Sequence, residues 1–164
     1  MKQKRKKKNA GAFAGVLLLL GIFFSPVAAA SGPEVSAQSA VMLTADMGAV
    51  LFEKDAHTQQ PMASTTKIKT ALLTLEDSQA LGDPVVEITE EMVAVEGSSM
   101  GLQEGDRISL KNLAAGMLLA SGNDAANAAA LYLEGSIDAF ADRMNSRAAE
   151  LGMENTHFVT PSGL

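Results

Sequence analysis

The sequence predicts an α+β fold, because a short β element precedes a region whose apolar residues follow a helical period. Two extended apolar runs, at 40–44 and 49–53, flank the tripeptide Asp46-Met47-Gly48. Glycine supplies the positive φ that a tight turn requires, so the two runs predict a β-hairpin. Two strands alone are at best marginally stable, so the hairpin needs partner strands, and the remaining sequence does not make them obvious.

The next part of the chain alternates between helix, strand and loop. A helix is predicted from about Ser64 to Leu75, and residues 76–84 form a break. Residues 85–89 are rich in β-branched side chains, which favours a short strand, and the two glutamates after them begin a capped helical turn. The stretch 97–105 contains three glycines and two serines and is predicted to be a loop.

Three helices are predicted after this loop. Ser109 is a suitable N-cap for a helix that ends near Leu119, the Ala-rich segment 124–134 forms the second helix, and Ser136 caps the third. Apolar residues in the third helix are spaced 3, 4, 4 and 3 apart, which predicts one buried face. These residues are Ile137, Phe140, Met144, Ala148 and Leu151.

The first 30 residues are predicted to be a targeting segment. Six basic residues within 2–8 precede an apolar stretch at 10–24, Ser25-Pro26 interrupts it, and Ala28-Ala29-Ala30 offers a signal peptidase site. The alternative is an uncleaved anchor that attaches the protein to the membrane, since about 20 apolar residues can span a bilayer. Either interpretation predicts that the rest of the chain is exported and works outside the cytoplasm. Residues 31–38 are small and polar and predict a flexible segment.

Composition excludes several classes of function. Without the first 30 residues the chain has 7 basic and 19 acidic residues, a net charge of about −12, which argues against nucleic-acid binding. No cysteine is present, so disulfides and thiol nucleophiles are excluded. The two histidines, His57 and His157, are 100 residues apart and predict no catalytic zinc site. We therefore expect neither a metal nor another cofactor.

Ser64 and Lys67 carry the most informative chemistry in the sequence. They are three residues apart at the start of a predicted helix, so the lysine amine can reach back to the serine hydroxyl. Apolar neighbours such as Met62, Ile68 and Leu72 predict a helix buried on several sides. Burial would lower the pKa of the lysine toward the range of a general base, and the helix N-terminus favours a nucleophile.

A second motif, Ser121-Gly122-Asn123, lies between two predicted helices. Together with Ser64-Thr65-Thr66-Lys67 it resembles the motifs of the serine-type D-Ala-D-Ala carboxypeptidases, the low-molecular-mass penicillin-binding proteins of peptidase family S11. The resemblance extends over nearly all of residues 38–164. It includes Glu96-Gly-Ser-Ser-Met100 and the ten residues from Leu118 to Asn127.

The resemblance implies a β-lactamase/transpeptidase-like fold, an antiparallel sheet flanked by helices with a helical subdomain. It also implies the roles of four residues. Ser64 would attack the peptide bond of a peptidoglycan stem peptide ending in D-Ala-D-Ala, and Lys67 would act as general base. Ser121 would relay a proton to the leaving D-alanine, and Asn123 would bind the substrate amide and orient Lys67. β-Lactam antibiotics would be covalent inhibitors.

The sequence departs from the family pattern in two respects. No Lys-Thr-Gly triplet is present, so we expect residues 39–164 to be the N-terminal part of a peptidase domain truncated before that motif, with an incomplete sheet. Lys69 occupies a position at which the resemblance implies an apolar residue, and we expect its side chain to be solvated.

Two other functions remain open. A serine β-lactamase of the same superfamily would need a Glu-x-x-Leu-Asn loop after the second motif, and it usually has aspartate at the position of Gly122; neither is found here. A truncated, non-catalytic exported protein would be consistent with the missing Lys-Thr-Gly.

Overall fold

The computed structural model describes residues 32–164, and the predicted signal peptide at residues 1–30 lies outside the described residues. The chain divides into two compact units, of which the first ends at Ala56 and the second runs from His57 to Leu164. Among the described helices, none is long and apolar enough to cross a membrane.

The first unit contains the predicted hairpin. Strands β1 (Ala40–Leu43) and β2 (Val50–Lys54) pair antiparallel, with an irregularity in register between Met42 and Leu43. The turn closes as predicted, since Gly48 has φ +64° and its N–H donates to the carbonyl of Thr44.

The second unit is mainly helical. A 3₁₀ turn (Ala63–Thr65) leads directly into helix α1 (Thr66–Leu81), and strand β3 (Val85–Glu87) and helix α2 (Glu90–Val93) follow. Strand β4 (Arg107–Ser109) precedes the last three helices, which are α3 (Leu110–Leu119), α4 (Asn123–Glu134) and α5 (Ile137–Glu150). Strands β3 and β4 form an antiparallel pair.

Several predicted boundaries are confirmed. The Ser109 and Ser136 side chains accept hydrogen bonds from the N–H groups of Asn112 and Ala139, so both serines cap their helices. The break predicted over 76–84 is wrong for its first part, because α1 continues to Leu81 and ends at Gly82 with φ +76°. The pairing of β3 with residues 107–109 was not predicted.

The core has two parts, and helix α1 contributes to both. Ala71 packs with apolar residues of β3, α3 and α4 in the larger cluster. On another side of the same helix, Leu73 packs with Phe140 and Met144 of α5 and with Phe158. Helix α1 is therefore enclosed on two sides, and both sides position the residues at its N-terminal end.

Helix α1 is buried on more than one side, as the sequence predicts, and Ala71 is part of the core. Met62, Ile68 and Leu72 do not contribute to this burial, because all three are exposed. One expectation about α1 is wrong. Lys69 was expected to be solvated, but only 8% of it is exposed and its ammonium has no hydrogen-bond partner among the described residues. Its side chain lies on the α5 side of the helix, where Arg147 and two glutamates are close enough to influence its charge.

Candidate active site

Ser64 lies in the 3₁₀ turn that precedes α1, and its side chain is exposed. The residue before it, Ala63, has φ +46°, a left-handed conformation that is unfavourable for a residue with a Cβ atom. Such strain is concentrated at functional sites because the surrounding fold must impose it. The hydroxyl is thus presented to solvent at the N-terminal end of a helix, where the backbone dipoles favour negative charge.

Lys67 is the buried partner of this serine. The residue is 1% exposed, and its Nζ lies 3.1 Å from Ser64 Oγ and 3.0 Å from the carbonyl oxygen of Ser162. Burial lowers the pKa of the Lys67 ammonium below its ordinary value. The two acceptors fix the amine beside the serine hydroxyl, and the lowered pKa increases the fraction of the amine that is free to accept a proton.

The segment at Ser162 is held against the turn that carries Ser64. Thr70 of α1 donates a hydrogen bond of 2.7 Å to the carbonyl of Pro161, one residue before Ser162. Gly163 has φ +84°, and a Cβ atom there would overlap the carbonyl of Ala63. Only glycine allows the segment to approach this closely, and the approach brings the Ser162 carbonyl to Lys67.

The second motif lies where α3 ends and α4 begins. Ser121 is half-buried with φ +53°, and Asn123 is the first residue of α4 and 3% exposed. Asn123 Nδ2 donates to the carbonyl of Glu96 (2.7 Å), and its backbone N–H donates to the carbonyl of Ser98 (2.7 Å). Its Oδ1 is buried and has no partner among residues 32–164.

The structure joins the two motifs through packing rather than through hydrogen bonds. Helices α1 and α4 pack against each other. Within the described residues, however, the hydrogen bonds of Lys67 go to Ser64 and Ser162, and those of Asn123 go to Glu96 and Ser98. The resemblance implies that Asn123 orients Lys67. In this structure the carbonyl of Ser162 orients Lys67 instead. The catalytic roles of the four motif residues remain predictions.

A cavity of about 190 Å³ adjoins the turn that carries Ser64. It lies between the approach to α1 and residues 157–164, and Thr66 is part of its wall. The lining comprises Pro61, Met62, Ala63, Thr66, His157, Phe158, Val159, Thr160, Gly163 and Leu164.

Comparison with known proteins agrees with this geometry. The profile of the D-alanyl-D-alanine carboxypeptidase family, peptidase S11, matches residues 26–164. The chain belongs to this family. D-alanyl-D-alanine carboxypeptidase DacF of Bacillus subtilis is 37% identical over 160 residues, which are 90% of this chain and 41% of DacF. The D-alanyl-D-alanine carboxypeptidase of Streptomyces sp. K15 is 34% identical over 92% of this chain and 55% of that protein.

Solved structures of family members show the same fold. The D-alanyl-D-alanine carboxypeptidase DacD of Francisella tularensis superposes with a TM-score of 0.77 at 36% identity, covering 82% of this chain and 33% of DacD. A D-alanyl-D-alanine carboxypeptidase from Mycobacterium tuberculosis gives a TM-score of 0.77 at 34% identity, with coverages of 85% and 52%. The predicted penicillin-binding, transpeptidase-like fold class is confirmed. The chain spans from a third to just over half of the length of these S11 relatives.

Sequence reasoning did not identify every residue that shapes the S11 site. Ser162 was missed because its contribution is a backbone carbonyl, which leaves no side-chain signal, and because it is 95 residues from Lys67. Asp124 directly follows the second motif. The structure shows its partners, which are Ser99 and three backbone N–H groups of the loop before α3.

Proposed function

We propose that this S11 family member is a serine-type D-Ala-D-Ala carboxypeptidase that acts through an acyl-enzyme on Ser64. One observation carries the proposal: the buried Lys67 amine lies 3.1 Å from the Ser64 hydroxyl. That distance is within reach of direct proton transfer, and burial shifts the lysine toward its neutral, basic form.

The reaction would proceed in two steps. Lys67 removes the proton of Ser64, Ser64 Oγ bonds to the carbonyl carbon between the two D-alanines, and the C–N bond breaks as Ser121 passes a proton to the leaving amine. Asn123 holds the substrate amide through its Oδ1, which has no partner within residues 32–164. Water then hydrolyses the ester, so that Ser64 is regenerated and the shortened peptide is released.

The substrate and the location follow from the same proposal. The substrate would be a peptidoglycan stem peptide ending in D-Ala-D-Ala, and β-lactams would acylate Ser64 because they present a reactive amide of similar shape. The basic and apolar residues at the N-terminus support export to the cell envelope, with either a cleaved signal peptide or a retained membrane anchor.

The test is acylation of the purified chain by a fluorescent penicillin, followed by peptide mass spectrometry. We expect one adduct, on Ser64, which is absent from the Ser64→Ala variant and nearly absent from Lys67→Ala. Thr65→Ala is the matched control, because Thr65 adjoins the nucleophile and its hydroxyl donates to the Met62 carbonyl rather than to Ser64 or Lys67. Release of D-alanine from a peptide ending in D-Ala-D-Ala tests turnover separately. Equal labelling of the wild type and Ser64→Ala would refute the assignment.

A non-catalytic peptidoglycan-binding protein is the second candidate, because the sequence contains no Lys-Thr-Gly triplet. In the family, that motif binds the substrate carboxylate. The candidate predicts that the chain binds a D-Ala-D-Ala peptide without releasing D-alanine and without acylation by penicillin. Calorimetric titration with the peptide, together with the labelling experiment, separates the two candidates.

A further inference from the structure

Asp124, the residue after the second motif, has more hydrogen bonds than its neighbours in the site. Its carboxylate is 2% exposed and accepts a 2.6 Å bond from the Ser99 hydroxyl and bonds of 2.9–3.1 Å from four backbone N–H groups. Those N–H groups belong to Met100, Gly101, Leu102 and Ala125. Burial would raise the pKa of this carboxyl, but the bonds from Ser99 and the N–H groups outweigh it and lower the pKa.

The loop that Asp124 binds also holds Asn123. The carbonyl of Glu96 accepts from Asn123 Nδ2, and the carbonyl of Ser98 accepts from the Asn123 backbone. Residues 96–98 therefore fix Asn123, while residues 99–102 are fixed by the adjacent Asp124. Each half of the loop is bonded to one of two consecutive residues at the start of α4.

Two glycines allow the loop 96–102 to pack closely against α3 and the start of α4. A Cβ atom at Gly122 would lie 2.8 Å from Asp124 Oδ1 and 3.1 Å from the Met100 nitrogen, both closer than normal contact. A Cβ atom at Gly116 of α3 would overlap the sulfur of Met100. The middle position of the second motif is therefore glycine because the Asp124 carboxylate and the loop backbone occupy the space of a side chain.

We propose that Asp124 is a positioning residue that, through the loop 96–102, sets the orientation in which Asn123 meets the substrate amide. This inference rests on the proposed carboxypeptidase function. Asp124 touches neither Ser64 nor Lys67 by a hydrogen bond among the described residues, so its effect is confined to substrate positioning. The bond from Lys67 to Ser162 is independent of the loop, so proton abstraction from Ser64 is unaffected.

The test variant is Asp124→Asn in the full chain. The amide keeps the volume of the carboxylate, but its NH₂ group faces backbone N–H donors and cannot accept from them. We expect the acylation rate per folded molecule to fall about 100-fold, the loss that a misplacement of about 1 Å produces. We expect the pH midpoint of acylation, which Lys67 sets, to stay unchanged. Asp106→Asn is the matched control, because that carboxylate accepts from the Gln103 N–H but lies outside the loop 96–102.

Amide hydrogen exchange gives a readout that does not depend on activity. In Asp124→Asn we expect faster exchange at the Asn123 backbone N–H, whose acceptor is the loop carbonyl of Ser98, as well as at residues 100–102. Ser99→Ala removes one of the five bonds to the Asp124 carboxylate, together with the bond that the Ser99 hydroxyl accepts from the Gly101 N–H. It should show the same changes to a smaller degree, which keeps the test valid if Asp124→Asn folds poorly.

The outcomes distinguish the two proposals. If penicillin fails to acylate the wild type, the proposed function fails, and the exchange rate of Asn123 alone decides whether Asp124 positions it. If the wild type is acylated and folded Asp124→Asn reacts at the same rate, Asp124 has only a structural role and the inference is overturned. Unchanged exchange at Asn123 in both variants overturns it as well.

Discussion

Replacing Lys69 with methionine should stabilise the second unit, although it removes a charged residue from a mainly acidic protein. Burial lowers the pKa of the Lys69 ammonium, Arg147 lowers it further, and Glu76 and Glu150 raise it. None of these groups supplies a hydrogen bond to the ammonium within the described part of the chain. Methionine keeps the flexible apolar stem and removes the buried donor.

The size of the effect follows from the cost of an unpaired buried group. A buried donor without a partner costs about 1–3 kcal/mol, and a charged one costs more. Attraction by the two glutamates recovers part of this cost, so we expect a net gain of about 1–2 kcal/mol. For a unit of this size the gain raises Tm by roughly 4–10 °C.

The pH dependence has a defined sign. At pH values between the lowered pKa of Lys69 and the ordinary lysine pKa of about 10.4, the folded state binds fewer protons than the unfolded state. The wild type therefore gains stability as pH rises through this range. The cost of the charged form is present in full below the lowered pKa. The advantage of Lys69→Met should therefore be largest at neutral pH and shrink as pH approaches about 10.4.

Thermal unfolding followed by circular dichroism at several pH values measures both effects. Lys111→Met removes the same charge from an exposed position of α3 and should change stability by no more than about 0.5 kcal/mol. Lys67→Met makes the same substitution at a buried lysine two residues before Lys69. It should destabilise the fold, because it leaves the buried Ser162 carbonyl without its hydrogen-bond donor. A Tm for Lys69→Met at or below that of the wild type would refute the reasoning, as would a pH-independent difference.

Three further predictions concern the site and the core. The rate of penicillin acylation should fall as pH decreases, with a midpoint below the pKa of an ordinary lysine because burial favours neutral Lys67. A midpoint at the ordinary value of about 10.4 would exclude this role. Gly163→Ala should slow acylation and lower Tm, because the new methyl group displaces the segment from the Ala63 carbonyl, and a crystal structure of the variant would show the displacement. Phe140→Ala should cost about 3–5 kcal/mol in denaturant unfolding, whereas Tyr132→Ala, at a residue that is 41% exposed, should cost much less.

The parts of the fold that depend on neighbouring residues could be predicted from the sequence. Ser109 and Ser136 act within one helical turn, and the hairpin turn depends on a single glycine, so each signal is complete within a short segment. The contact between Ser64 and Lys67 is also local, because a separation of three residues brings two side chains together wherever the helix packs.

Contacts between distant segments could not be predicted, and Lys69 shows why. Consecutive helical residues are rotated by 100°, so a residue two positions after Lys67 points to nearly the opposite side of α1. The sequence interpretation took that side to be solvent, an inference valid for a helix with one buried face. Helix α1 instead has α3 and α4 on one side and α5 on another. Lys67 and Lys69 are thus both buried, but they differ in their hydrogen bonding. The Lys67 ammonium donates to the Ser162 carbonyl, an acceptor that only the tertiary fold supplies, whereas the Lys69 ammonium has no partner among the described residues.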